Sequence, residues 1–326
     1  MNGTGGVLVI GEALVDVVHP ADGGPPAEHV GGSPANVAMG LARLGHTTHL
    51  ATHVGTDARG DRIAQALSDA GARLAPGSRT ADHTPTASAT LDESGAATYD
   101  FDLDWRHDTA AVDELLAGDP TIDHVHTGSI AATLEPGGSA LLEHLADLRN
   151  RCTVSYDPNA RPGIMGDREA ARERVEAFVA LADVVKCSDE DLAWLYPESS
   201  TDEATEHLLR QGPSLVVVTR GSSGASARWL DARGGTAGLG LPAEPVAVVD
   251  TVGAGDSFMA GLLSGLLGAG LLGRPSPGPS QGGPPHRTAG RWNAIAVAPA
   301  LARGLATAAW TVQRAGAGGP THDQVG

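Results

Sequence analysis

Short apolar runs alternate with longer amphipathic ones along most of this chain, and that alternation limits its fold more than any single motif. The run at 7–10, Val-Leu-Val-Ile, is continuous and stops at Gly11, as befits a strand buried on both faces. Between 33 and 44 the apolar positions Val37, Leu41 and Leu44 recur at helical spacing, and Gly45 follows as a C-cap. The same criteria place strands near 48–52, 124–127, 153–156, 184–187 and 215–219. Helices fall near 57–70, 141–149, 170–180, 189–196, 205–211, 255–267 and 298–314. Repeated strand–helix units predict an α/β fold, a mostly parallel sheet with helices on both faces. In such sheets ligands bind beyond the carboxyl ends of the strands.

Two stretches depart from this rhythm. Residues 14–30 and 86–103 alternate residue by residue around the turns His19-Pro20-Ala21-Asp22-Gly23-Gly24 and Asp92-Glu93-Ser94-Gly95. They read as antiparallel hairpins added to the sheet, a small β lid. The Gly/Pro/Ser-rich stretch 273–290 reads as a flexible insertion. No internal repeat is present, and the 326 residues suit one large α/β domain spanning 1–326.

Composition narrows the partners. The net charge of −17 repels nucleic acid and anionic membranes, so neither is expected as a partner. A polyanionic substrate must then be met by a local cluster of donors. Lys186 is the only lysine. No run approaches the ~20 apolar residues that span a bilayer, and the first residues lack a basic segment ahead of their short apolar run, so a cytoplasmic protein is expected. Cys152 and Cys187 form no paired motif and are expected to be reduced core thiols.

The sharpest local signal is Asp250-Thr251-Val252-Gly253-Ala254-Gly255-Asp256-Ser257, small residues leading into an apolar helix. Gly253 and Gly255 let the backbone turn tightly and approach a ligand. Free N–H groups at a helix start bind anions, aided by the dipole. A carboxylate at that mouth, Asp256, is either a weak base beside an anion site or a simple cap. Phosphoryl transfer needs positioning and charge neutralisation more than strong proton abstraction, so a weak base suffices for it. The second signal is Gly31-Gly32-Ser33-Pro34-Ala35-Asn36: two glycines permit close approach, and Asn36 offers both donor and acceptor to hydroxyls. The plain alternative is a loop with a Ser cap and Pro at the first helical position.

Together the two stretches resemble the ribokinase-like (PfkB-type) carbohydrate kinases, marked by GG-x-x-x-N early and D-T-x-GAGD late. The resemblance covers nearly the whole chain and implies a Rossmann-like fold with a β lid. It also implies ATP and Mg²⁺, a small sugar as acceptor, and a homodimer made through the lid. Carried over by position, Asp256 resembles the catalytic base. The N–H groups of Gly253, Ala254, Gly255 and Asp256 resemble the anion hole. Asp16, Gly31, Gly32 and Asn36 match sugar contacts, and Tyr99 or Phe101 would lie near the sugar or the dimer contact. Asp157-Pro158-Asn159-Ala160-Arg161 is similar to the D-x-N-x-R stretch of fructokinase-like members, with Asp157 toward substrate and Arg161 toward the transferring phosphate. Ser188-Asp189-Glu190-Asp191 falls where the family has N-x-x-E, which organises magnesium through water. Ser stands for Asn and Asp for Glu, and the stretch equally reads as a capping box. Thr219, Gly221 and Gly224 resemble the T-x-G-x-x-G turn over nucleotide phosphates. Carbonyls near Asp250 and Val252 match a K⁺ site of many relatives.

Competing readings fail. A Walker loop needs GxxxxGK followed by Ser or Thr, and Lys186 follows none. Gly3-Thr4-Gly5-Gly6 precedes its strand where a dinucleotide fingerprint should follow. His124 and His126 share one strand face, which suits packing or hydrogen bonding better than metal ligation. Ser33-Pro34 stands where members acting on ribose or phosphorylated sugars carry Lys-Gly, so an unphosphorylated hexose, fructose first, is expected. The alternatives are a 2-keto-3-deoxygluconate-type kinase, with Arg106 as the cation for the acid, another sugar or nucleoside kinase, and a sugar-binding regulator that has lost catalysis.

Overall fold

The computed structural model describes residues 5–92, 97–231, 233–273 and 290–325. The expected insertion at 273–290, apart from its two ends, lies outside them, as do residues 93–96 of the second hairpin turn. The first half runs β1 (Gly6–Ile10), β2 (Leu14–His19), β3 (Ala27–Gly31), α1 (Ser33–Arg43), β4 (Thr48–Ala51), α2 (Ala58–Ala70), β5 (Arg73–Leu74), β6 (Thr86–Leu91), β7 (Ala97–Asp102), α3 (Thr109–Gly118), β8 (Ile122–Gly128) and α4 (Gly137–Leu148). The second runs β9 (Thr153–Asp157), α5 (Pro162–Met165), α6 (Arg168–Val179), β10 (Val184–Ser188), α7 (Asp189–Leu195), α8 (Thr201–Gln211), β11 (Leu215–Thr219), β12 (Ala225–Leu230), β13 (Thr236–Leu241), α9 (Ala254–Gly268), α10 (Ala294–Val312) and α11 (His322–Val325).

The main sheet has nine strands in the order β13-β12-β11-β10-β9-β8-β1-β4-β5. From β11 to β5 every pairing is parallel. Strand β1 shows why: Val7 and Val9 enter the core shared with α1, α9 and α10, while Leu8 and Ile10 enter the core under α3, α4, α6, α7 and α8. A strand apolar on both faces needs a helical layer on each side. The chain moves from β1 to β4 on one side and later to β8 on the other, so the topological switch lies between β1 and β8. A crevice for ligands opens there, at the carboxyl ends of the strands.

The smaller sheet, β3-β2-β6-β7, contains both expected hairpins. Each hairpin is antiparallel, but β2 and β6 join them in parallel. Val15 and Val17 on one face are buried in the core beside α2, and Val30 packs against the same core. Two valines of the lid, Val17 and Val30, are thus turned toward the core. The opposite face carries Leu14, Asp16, Ala87, Tyr99 and Phe101, and Leu14 packs with Ile130 and Met165 over the crevice. At the far edge of the main sheet β12 runs antiparallel to β11 and β13 antiparallel to β12, so the lid segments are not the only antiparallel pairs; β12 and β13 form a further hairpin. Its Gly-rich second strand hides the alternation that marks the other two.

Cys152 and Cys187 are free and buried, as expected. His124 and His126 are buried and bond Thr153 and Ser155; burial pushes both rings down to about 3, leaving them neutral. Helix α10, at 19 residues, is long and apolar enough to cross a membrane by length and composition. Here its apolar side, including Val297, Ala300 and Leu301, packs into the core with α9.

The α9–α10 contact is close because α9 is lined with small residues. A Cβ on Gly261 would lie 2.3 Å from Thr307 Oγ1 and 2.8 Å from the Arg303 carbonyl. That hydroxyl is held by the carbonyls of Ser257 and Gly304, so it has nowhere to go. Gly261→Ala should therefore destabilise the fold, overpacking at about 1–3 kcal/mol exceeding a helix-propensity gain of about 1 kcal/mol. Thermal denaturation should show a drop of about 2–5 °C; an unchanged or raised midpoint would mean the two helices separate without cost.

Candidate active site

The site is assembled from three sources: the first turns of α1 and α9, the ends of β9 and β10, and one face of the small sheet. Its centre is Asp256, almost fully buried on the first turn of α9. Ser33 Oγ donates to Asp256 Oδ1 at 2.7 Å, and Asn36 Nδ2 donates to Oδ2 at 2.8 Å. The two sequence motifs thus meet on one carboxylate. Ser33 is not the cap of α1: Gly32 occupies that position, and the Ser33 hydroxyl is committed to Asp256. This role for Ser33 escapes sequence reading because a Ser-Pro pair at a helix start already has a local explanation.

Gly253 begins α9 with φ of 73°, and a Cβ there would sit 2.5 Å from that of Ala317. No side chain caps this turn. The Ala254 N–H is engaged by the Thr251 carbonyl, and Ser257 makes the first helical bond to Gly253. The groups left for an anion are those of Gly253, Gly255 and Asp256. Asp250 Oδ1 accepts from Val252 N–H and Oδ2 from Gly316 N–H, which fixes the approach loop and holds the Asp250 carboxyl below its ordinary value. The Val252 side chain is exposed.

The glycine pair earlier in the chain is required by contact. Gly32 has φ of 98°, and a Cβ would be 2.6 Å from the Glu12 carbonyl. A Cβ on Gly31 would be 2.2 Å from Asp16 Oδ2, so Gly31 is what makes room for that carboxylate. Asp16 pairs across the sheet with His29 and, through Ala87, aligns with Phe101. Burial pushes its carboxyl up, while His29 and Arg161 pull it back, so Arg161 lies within electrostatic reach of Asp16. The Arg161 guanidinium bends onto the carbonyls of Asn159 and Ala160.

Asp157 is wholly buried; Oδ2 accepts from Lys186 Nζ at 2.8 Å and Oδ1 from Asn159 N–H. Burial pushes its carboxyl up to about 6, and Lys186 keeps it below neutrality. Asp157, expected toward substrate, is instead sealed beneath the loop that carries Asn159 and Arg161. Lys186 is the residue that sequence reading missed. Its signal was its solitude: one lysine, at the end of an apolar strand, two positions ahead of Ser188. Ser188 and Asp191 form the capping box of α7, and Asp191 Oδ1 also accepts from Ala160 N–H at 2.7 Å, tying the β9 loop to α7. Thr219 ends β11, and Gly221 and Gly224 flank the turn into β12; a Cβ on Gly224 would strike the Leu241 carbonyl at 2.1 Å. Arg106 lies beyond the end of β7, outside the hairpin, exposed and paired with Asp104.

The sequence matches the pfkB family carbohydrate kinase profile over residues 5–324. The chain belongs to the pfkB family of carbohydrate kinases. The kinase is 35% identical over 279 residues to a fructokinase of Rhizobium leguminosarum bv. trifolii, covering 82% of this chain and 81% of the relative. It is 35% identical over 281 residues to a fructokinase of Klebsiella pneumoniae, covering 83% and 87%. A Vibrio cholerae fructokinase double mutant solved with fructose, ADP and a potassium ion superposes with a TM-score of 0.75 at 25% identity, covering 97% of this chain and 95% of that one. The fold, the family and sugar kinase activity expected from sequence are thus established.

One buried acid of this kinase titrates near neutrality. Glu12, at the end of β1, is 6% exposed and accepts from Ala131 N–H at the switch point. Burial pushes its carboxyl from 4.5 up to about 8, so the folded state retains a proton that the unfolded chain releases. Its contribution is fully present below the unfolded value and is lost as pH rises through about 8. Thermal midpoints measured from about pH 5 to 8 should fall more in the wild type than in Glu12→Gln, which keeps the acceptor for Ala131, and the difference should level off above about pH 8. Parallel curves for the two proteins would show that Glu12 does not carry the extra proton.

Proposed function

We propose that this kinase transfers the γ-phosphate of MgATP to a hydroxyl of an unphosphorylated hexose, fructose foremost, with Asp256 as base. The observation that carries the reading is the Ser33–Asp256–Asn36 cluster, a positioned carboxylate beside uncapped helix N–H groups. The sugar hydroxyl oxygen attacks the γ-phosphorus, its proton passes to Asp256, the bond to the β–γ bridging oxygen breaks, and ADP leaves. Charge on the transferring group is met by the N–H groups of Gly253, Gly255 and Asp256 and by Arg161. Asn36 Oδ1 and Asn159 Nδ2 are buried without protein partners, one acceptor and one donor for a polyhydroxyl ligand. Asp16 supplies a charged acceptor from the lid. Ser188 and Thr219, which end their strands, and Gly221 and Gly224, which flank the turn after β11, suit the nucleotide side of the site.

Magnesium enters as part of the nucleotide substrate. Among the described residues no cluster of three or more acidic, His or Cys side chains could hold a metal by itself. Asp191, whose oxygens already accept two backbone N–H groups, is suited to a water-mediated contact. Two features favour fructose. The two relatives cited above are fructokinases, and the one lysine is buried beneath the site, unavailable to a second phosphate. The cation that the keto-acid reading would use, Arg106, lies exposed beyond the lid hairpin with one 3.5 Å contact to Asp104.

The assignment divides kcat from KM. Asp256→Asn keeps the shape and removes the base, so kcat should fall by roughly 10²–10⁴ with sugar affinity little changed. Asp16→Ala should instead raise the sugar KM by about 10-fold, the worth of one charged hydrogen bond. A coupled ADP-release assay over fructose, ribose and ketodeoxygluconate measures both; an Asp256→Asn variant with a third of the activity would remove the base assignment.

The lid also suits self-association. Tyr99 and Phe101 stack at 5.9 Å on the crevice side of the small sheet, 62% and 38% exposed. An aromatic pair this open finds either the sugar or a second copy. A lid-to-lid, two-fold dimer is the arrangement we favour. Light scattering at micromolar concentration should report a dimer, and Phe101→Asp should shift it to monomer; a monomeric wild type would leave the lid acting within one subunit.

A further inference from the structure

The first turn of α9 has an unusual neighbour. Lys186 Nζ lies 3.3 Å from where a Cβ on Gly255 would be, so Gly255 leaves space for an ammonium as well as for a ligand. The ammonium is nearly inaccessible and bonds Asp157 Oδ2 at 2.8 Å. Asp191 and Asp256 act on it electrostatically as well. The ammonium therefore acts on two carboxylates besides its one direct partner. It sits where a charge can be felt by the N–H groups that would receive the phosphoryl group.

We infer that Lys186 is a positioning residue for phosphoryl transfer, a fixed cation beneath the anion hole that stabilises the negative charge gathered above Gly255. The inference rests on the functional reading given above. It assigns to a strand-end lysine the service that phosphate loops obtain from a lysine of the loop itself. In this kinase the loop that faces the phosphate is Gly-Ala-Gly and carries no charge of its own before Asp256. The charge comes from β10, through the open side of Gly255. Burial works against the ammonium, but Asp157, Asp191 and Asp256 more than offset it and hold its pKa above the ordinary lysine value. The cation is therefore permanent at any working pH. His126, which also feels it, stays neutral.

Because Lys186→Met leaves Asp157 buried and unpaired, that variant alone is a test of folding as much as of function. The decisive set adds Asp157→Asn and the double variant Lys186→Met/Asp157→Asn, each checked by thermal denaturation. The readout is calorimetric affinity for MgADP with aluminium fluoride, which imitates the transferring phosphoryl, in the presence of fructose, beside affinity for MgADP alone. The double variant should melt near Asp157→Asn, bind MgADP as it does, and bind the aluminium fluoride complex about 100-fold more weakly, with kcat reduced in proportion. Equal affinity of the double variant and Asp157→Asn for that complex would overturn the inference and make the pair purely structural. A proportional loss of MgADP binding would overturn it too, since the effect would then not be confined to the transferring group. If the wild type neither phosphorylates any sugar nor binds the complex, the parent reading fails instead.

Discussion

Four buried carboxyl groups, Glu12, Asp157, Asp191 and Asp256, lie at the end of the parallel sheet, and the structure depends on how each is kept from destabilising the others. Like charges in a low-dielectric site repel strongly, and each loses its hydration on burial. Asp256 is compensated by two side-chain donors, Ser33 and Asn36. Asp191 is compensated by two backbone donors, Ser188 and Ala160. Asp157 has the Lys186 ammonium. Glu12 takes the remaining route and keeps its proton to about pH 8. Each solution also fastens one chain segment to another: α1 to α9, the β9 loop to α7, β9 to β10, β1 to the turn after β8. The electrostatic problem and the mechanical one are solved by the same bonds.

Those bonds require the helices to be close, and here the small residues matter. Gly40 of α1 faces Ala260 of α9, and Gly265 of α9 faces Ala300 of α10, with a Cβ on either glycine meeting its neighbour within 2.7 Å. Larger side chains at these positions would push α9 outward along with its first turn. Asp256 would then leave hydrogen-bonding range of Ser33 and Asn36. The few aromatic residues in the chain fit this design, since bulky side chains would hold the layers apart. Packing of the rear helices thus sets the geometry of the chemistry at their front.

The alternation of strands and helices was readable because a buried parallel strand has little freedom in composition: Val7 to Ile10 can be little else. The two site motifs were readable because a helix beginning Gly-Ala-Gly-Asp leaves N–H groups uncapped and a carboxylate beside them. Facing was less readable. Period-two alternation in β2 shows that Asp16 and Val17 point apart, but not that α2 covers the Val17 side. The β12–β13 hairpin was hidden by Gly238 and Gly240, which carry no side chain to alternate. Lys186 was hidden for another reason. A single lysine on an apolar strand reads as the strand's exposed end until the fold places Asp157 beside it. Pairing between strands β9 and β10 is a tertiary fact, and no spacing within either strand contains it.

The acidity of the whole chain then takes on a physical meaning. A net charge of −17 opposes the approach of a nucleoside triphosphate, so the site must recover locally what the field takes away. Surface cations would do this poorly, because water and salt screen them within about 10 Å. Backbone N–H groups at a helix start and a lysine sealed under that helix are not screened in this way. They also cost little reorganisation when charge shifts during transfer, since neither can rotate toward solvent. Arg161 is different: it is exposed, and its guanidinium bends back onto two carbonyls of its own loop. On the proposed reading, the site combines a fixed positive floor with one exposed cation at its rim. An acidic protein can in this way bind a polyanion at a single place and leave the rest of its surface repelling other polyanions.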